Sequence, residues 1–210
     1  MTPILGLFSS VIPYTPKELY LELRREKSTA KYALVERNFN EMNKQIHFNE
    51  TAFEYYGKRV EAENTAFLKI PRRYKKIATK IRKEYDIPYD VIYNLVYKES
   101  SWRANLKAGP NTNGTFDYGL GGMNSDYVEY YKETFYDKEF IKEFYSGPFS
   151  AMNPYVNLQV SFRYLKHLID HFGGDYNLAV KSYNAGLNKV KSGRIPTATK
   201  KYSEFILGEF

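Results

Sequence analysis

The chain has 210 residues, 43% hydrophobic and 26% charged, enough for one domain with its own core plus an extension and too few for two full-sized domains. It has no cysteine, which excludes disulfides and thiolate metal sites, and no apolar run long enough to span a membrane. The net charge of +7 leaves nucleic acid, an anionic membrane or an acidic polymer open as partners. The positive charges form no single tail. Their densest run (Arg72, Arg73, Lys75, Lys76, Lys80, Arg82 and Lys83) would spread around a helix, so a solvated surface is the simpler reading. The 21 tyrosines against one tryptophan suit a polar groove, although core packing accounts for most of them.

In chain order, Ile4 to Pro13 is mildly apolar but short, without a basic residue before it or a small-residue cleavage site. It reads as a packed arm rather than an export signal. Thr15-Pro16-Lys17-Glu18 reads as a capping box with Pro at the first helical position. Val35, Phe39, Met42 and Ile46 then form one apolar stripe, and Asn49 opens a second helix through Phe53 and Val60 toward Leu68. Residues 1–69 are expected to be a helical arm or hairpin without chemistry of its own.

A boundary at Ile70-Pro71 precedes a domain over residues 70–210. Pro71 starts a helix with Ile77 and Ile81 inward. Asp86-Ile87-Pro88 breaks it, and Pro88 opens another helix to about Ser100. Gly109-Pro110, Asn113-Gly114, Gly119, Gly121 and Gly122 then mark loop chemistry, with a short hairpin around Asn113-Gly114. After an aromatic, charged stretch, Val156 to Phe172 is a helix ended by Gly173-Gly174, Asn177 to Ala185 a short helix stopped at Gly186, and Ala198 to Leu207 the last. The domain is mainly α.

Glu99 is the sharpest local feature. The apolar face of its helix holds Ile92, Leu95 and Val96, and Glu99 lies four residues after Leu95 and seven after Ile92. It therefore points toward the core. An apolar wall disfavours the carboxylate, so its pKa should rise and the group can serve as a general acid. The competing readings are a side chain that swings out to solvent, or an ion pair with Arg103. His167 and His171, at i, i+4 spacing, have no third ligand, so an exposed pair is expected, with no metal and no cofactor.

Five elements in order resemble the lytic transglycosylases of the soluble type, which share the goose-lysozyme-like fold: Glu99-Ser100; the run Asn111 to Leu120 ending in Gly119-Leu120, with Asn124 beyond; Asn153-Pro154-Tyr155-Val156-Asn157; Ala179 through Tyr183-Asn184-Ala185-Gly186; and Ile195-Pro196, Thr199 and Tyr202. The resemblance covers about residues 70 to 207. It implies a lysozyme-like α-helical domain with an N-terminal helical extension. The version Asn113-Gly114-Thr115-x-Asp117 is nearest to small transglycosylases that accompany envelope-spanning secretion machines.

Residue by residue, the resemblance implies Glu99 as catalytic acid/base, Gly119 and Leu120 lining the sugar cleft, Asn124 as the family's Asn, Tyr183 and Asn184 beside the acid, and Tyr202 as a late aromatic lining the cleft. The family's Met-Gln is Gly121-Gly122 here, and Met123 is expected to fill part of the vacated wall. The implied activity is cleavage of the MurNAc–GlcNAc bond of peptidoglycan with formation of a 1,6-anhydro end, in the periplasm or cell envelope. The implied partners are glycan strands and, through the arm, an envelope-spanning machine. Two alternatives stay open. One is a hydrolase with Asp117 as second carboxylate, a residue that can equally bond backbone amides in its turn. The other is a non-catalytic glycan-binding subunit, given the missing Gln. Nucleic acid is not expected, because no aromatic-basic strand motif is present.

Overall fold

The computed structural model describes residues 61–208 and, upstream, Arg37, Asn40, Glu41, Asn43 and Lys44, which are helical and exposed. The Thr15 capping box, the Val35–Ile46 stripe and the Asn49 cap lie outside the described residues. The chain divides into two compact units, Met1–Arg59 and Val60–Phe210. Residues 61–69, placed with the arm by sequence, are helical within the second unit, where Ala66 is buried and Glu63 pairs with Arg82 at 3.0 Å.

A 3₁₀ turn, Arg72–Tyr74, leads into helix α1 (Lys75–Tyr85), which buries Ile77, Ala78 and Ile81. Helix α2 (Tyr89–Ser100) starts at Pro88, whose missing N–H costs nothing in the first turn, and buries Val91, Ile92, Leu95 and Val96. It ends with two non-glycine residues in succession at positive φ, Ser101 (51°) and Trp102 (62°). Each costs about 1–2 kcal/mol of backbone energy. Packing offsets that cost, since the Trp102 ring lies 5.8 Å from Tyr74 and 6.0 Å from Tyr93 in stacked arrangements.

Three two-residue strands follow, β1 (Lys107–Ala108), β2 (Asp117–Tyr118) and β3 (Met123–Asn124), antiparallel in the order β1-β2-β3. The hairpin expected around Asn113-Gly114 is the β1–β2 connection. The aromatic stretch after β3 folds into α3 (Val128–Phe135) and α4 (Lys138–Ile141), the latter capped by Asp137. Sequence periodicity did not show these helices, because α3 buries only Phe135 and so carries no apolar stripe.

Helix α5 (Pro154–His171) is the centre of the domain. The Asn153 carboxamide caps it by accepting from the amides of Tyr155 and Val156. Val156 to Phe162 are all buried, so polar Asn157 and Gln159 must find partners inside. Gln159 does so by accepting from Asp137 N (3.0 Å) and donating to Phe135 O (2.9 Å), which ties the α3–α4 lobe to the core. Helices α6 (Tyr176–Ala185), α7 (Leu187–Lys191) and α8 (Thr197–Leu207) complete the unit. α8 packs against both α2 and α6, which brings Tyr202 to the end of α2.

Candidate active site

Glu99 occupies the last turn of α2, at the wall of a cleft of about 980 Å³. Neither competing reading of its orientation is realised. The side chain is only partly exposed, and Arg103 instead donates to the Ser100 carbonyl at 3.0 Å. The Glu99 carboxyl has a pKa pushed up to about 7. Desolvation by burial is the main cause, the charge of Asp117 adds to it, and the Tyr202 hydrogen bond and Lys98 act against it.

Tyr202 donates its hydroxyl to Glu99 Oε1 in a short hydrogen bond. Its position differs from the expectation of a ring lining the cleft. Tyr202 is buried, and it holds the acid from behind. Tyr183 donates to the Gly121 carbonyl at 2.7 Å and lines the cleft. Burial, with the nearby Glu99 charge, holds both phenols well above their ordinary pKa, so they remain donors.

The loop between β2 and β3 presses against the acid. Gly122 has φ +65°, and a Cβ built there would sit 2.6 Å from Glu99 Oε2. The space of a side chain at this position is therefore occupied by the carboxyl group itself. A Cβ at Gly121 would collide with Ser161 Oγ and approach the Tyr183 hydroxyl to 3.2 Å, and one at Gly119 would collide with Asn157. Buried Asn157 clamps the loop: Oδ1 accepts from Gly121 N (2.7 Å), while Nδ2 donates to the carbonyls of Tyr118 and Ala151, both at 2.8 Å. Gly119 and Leu120 are thus buried beneath the loop rather than on the cleft wall, because the turn directs them to α5.

Asp117 stands on β2 in the same cleft. Its partners are side-chain amides, not the backbone amides of its turn: Oδ2 accepts from Asn111 Nδ2 (3.0 Å) and Oδ1 from Asn124 Nδ2 (2.9 Å). Both amides also donate to the hydroxyl of buried Thr115. Asn124 is therefore a cleft residue that positions Asp117. Met123 lines the cleft while packing into the core. Asn184 lines it too, and its carbonyl oxygen accepts from Thr199 Oγ1 at 2.8 Å. Of the histidine pair, His167 is on the cleft wall and His171 stacks edge-on to Phe172. Among the described residues no group of three or more His, Cys, Asp or Glu could hold a metal ion.

Sequence reasoning gave no role to Asn157, Asn111 or the tyrosines 127, 130, 131 and 164. The Asn-Pro-x-x-Asn spacing was the available signal for Asn157, since it puts the second Asn one turn inside a helix with no solvent-facing side.

No curated protein sequence matches the chain. Among solved structures, an inactive variant of the lytic transglycosylase Slt from Pseudomonas aeruginosa is similar, with a TM-score of 0.51 at 17% identity over 65% of this chain and 23% of that one. The 70 kDa soluble lytic transglycosylase from Escherichia coli gives a TM-score of 0.45 at 22% identity, over 61% of this chain and 22% of that one. The chain thus corresponds to less than a quarter of the length of these larger proteins, and the first likeness shows the lysozyme-like helical fold. The family model of the transglycosylase SLT domain matches residues 76–206. That span runs from α1 to the penultimate residue of α8 and takes in Glu99, the glycine loop, Asp117, Tyr183 and Tyr202. On this match, the chain belongs to the SLT transglycosylase domain family.

Proposed function

We propose that the protein is a peptidoglycan lytic transglycosylase that works with Glu99 as its single acid/base. The observation that carries this reading is the state of one carboxyl group. Glu99 is shielded enough to hold its proton near pH 7, and it faces a cleft of about 980 Å³. Tyr202 donates to Oε1, which leaves Oε2, the oxygen beside Gly122, to carry the acid's proton. General acids of matched pKa contribute roughly 10²–10⁴ in rate.

The proton passes from Oε2 to the oxygen bridging MurNAc and GlcNAc. The bond from MurNAc carbon-1 to that oxygen breaks, its electron pair leaves with the GlcNAc hydroxyl, and an oxocarbenium-like sugar remains. Its 2-acetamido group can shield carbon-1 in the manner of substrate-assisted glycosidases. The Glu99 carboxylate then takes the proton of the carbon-6 hydroxyl, whose oxygen bonds to carbon-1. The 1,6-anhydro ring closes, and the acid is restored without consuming water. The substrate places the protein in the cell envelope, and the region upstream of residue 70 is the part of the chain assigned to docking on an envelope machine.

Asp117 supports a second reading. It shares the cleft with Glu99, and a second carboxylate could position water for hydrolysis. Mass spectrometry of purified sacculi digested by wild type and Glu99→Gln tests both. Anhydro ends made by wild type and lost in the variant support the transglycosylase, and reducing ends support the hydrolase. Equal turnover by the two proteins would remove Glu99 from the mechanism.

A further inference from the structure

Besides Tyr183, tyrosines 127, 130, 131 and 164 line the cleft. Tyr127 and Tyr130 line the cleft yet are 57% and 50% exposed. They are supported from below: Tyr130 stands edge-on to buried Phe135 at 5.7 Å, and Tyr127 lies 6.3 Å from Tyr131. From Tyr130 the rings continue inward through Tyr131 (6.0 Å) and Tyr164 (5.4 Å) to Tyr183 (5.6 Å), whose hydroxyl binds the glycine loop beside the acid. Among the described residues, the other exposed large hydrophobic side chains, Leu68, Tyr97 and Met152, lie off this cleft.

We propose that Tyr127 and Tyr130 form a distal sugar platform that makes the enzyme selective for long glycan chains. The inference rests on the glycan reading of the cleft and extends it to substrate length. A pyranose has an apolar face of C–H bonds that packs on an aromatic ring, while the phenol hydroxyls serve the equatorial hydroxyls around it. Leaving two rings half in water forfeits burial that folding would otherwise gain, and a ligand that covers them recovers it. In this proposal the sugar on these rings sits beyond the pair that flanks the scissile bond. Its binding energy is available to orient the scissile bond, so long chains gain in kcat/KM over short ones.

The test is a ladder of uncrosslinked glycan oligomers of increasing length. Cleavage is followed with wild type, and binding is followed by calorimetry with Glu99→Gln. Wild type should prefer long over short chains, and Tyr127→Ala with Tyr130→Ala should reduce that preference about tenfold. Tyr127→Phe and Tyr130→Phe should restore most of it. Tyr97→Ala, an exposed tyrosine off the cleft, should leave it as in wild type. A preference equal in wild type and the double alanine variant would overturn the platform while leaving the cleavage reading intact. Failure of every oligomer to bind Glu99→Gln would overturn the glycan reading, and the platform with it.

Discussion

The cleft holds two carboxylates in opposite surroundings. Glu99 lies at the end of a helix, with a hydrogen bond from Tyr202 to one oxygen and, beside the other, a glycine that leaves no room for a Cβ. Asp117 lies on a short strand, with each oxygen met by an asparagine amide. The first arrangement leaves an oxygen free to carry and deliver a proton. The second fixes a charge in place and lends it to its neighbour, since Asp117 is among the causes that raise the Glu99 pKa. Paired acids whose environments differ in this way divide acid and electrostatic roles between them.

The sharpest break of this contrast is Glu99→Gln, which should lower kcat by about 10³ or more with little change in KM. In wild type, kcat should fall as pH rises through about 7, because the acid must be protonated to act. Initial rates of sacculus solubilisation from pH 5 to 9 check both. A flat profile across pH 7 would show that another group supplies the proton.

Gly122→Ala comes next, at about 10² in kcat. The added Cβ, starting 2.6 Å from Oε2, displaces the carboxyl group, and a small misplacement of a catalytic group costs on that order. Gly122→Gln, which puts back the residue usual in the family, should be no better. An active Gln variant would mean that Glu99 works from another position. The missing Gln, which from sequence spoke for a non-catalytic subunit, is in the structure what gives the carboxyl group its present seat.

That reversal shows what was legible beforehand. Glu99 could be read because its evidence is local: Pro88 sets the start of α2, and the spacing from Ile92 and Leu95 sets the face. The helical class and the ends of α5, α6 and α8 were legible for the same reason, through Pro, Gly and apolar periodicity. The role of Tyr202 was not, because its partner is 103 positions away and only the packing of α8 on α2 joins them. Asn157 reaches 36 positions back to Gly121, and nothing in a helical pattern shows where a buried amide points. The tyrosine wall was hidden by composition, since in a chain with 21 tyrosines no single one stands out.

The acid's seat also has a cost in stability, which gives a smaller effect. In the unfolded chain Glu99 titrates near 4.5, whereas in the folded protein it holds its proton to about 7. Below 4.5 both states are protonated and the group contributes no difference. Between the two values the unfolded state loses its proton first, so the stability of the fold falls as pH rises, and above about 7 the loss is complete. The full shift corresponds to roughly 3 kcal/mol, reduced to about 2 by partial solvent access. Glu99→Gln should therefore melt with wild type at pH 4 and several degrees above it at pH 8. Equal melting temperatures at both would mean that the carboxyl is not held against ionisation.

Asp117→Asn is the finest test, at about tenfold in kcat, because it separates a lent charge from a second catalytic group. An amide is nearly the same shape, but it can no longer accept from Asn111 and Asn124 on both sides, so one contact becomes donor against donor. Thr115, bonded to both asparagines, still ties the loop together. Removing the negative charge eases ionisation of Glu99, so the alkaline limb of the rate profile should move to lower pH while anhydro products persist. A water-positioning carboxylate would behave differently. Its loss would cost about 10² or more at every pH, and in wild type the products would carry reducing ends. The limb moves to lower pH under either role, because the charge is lost in both, so the chemistry of the products and the size of the loss assign Asp117, while the limb shift checks that its charge reaches Glu99.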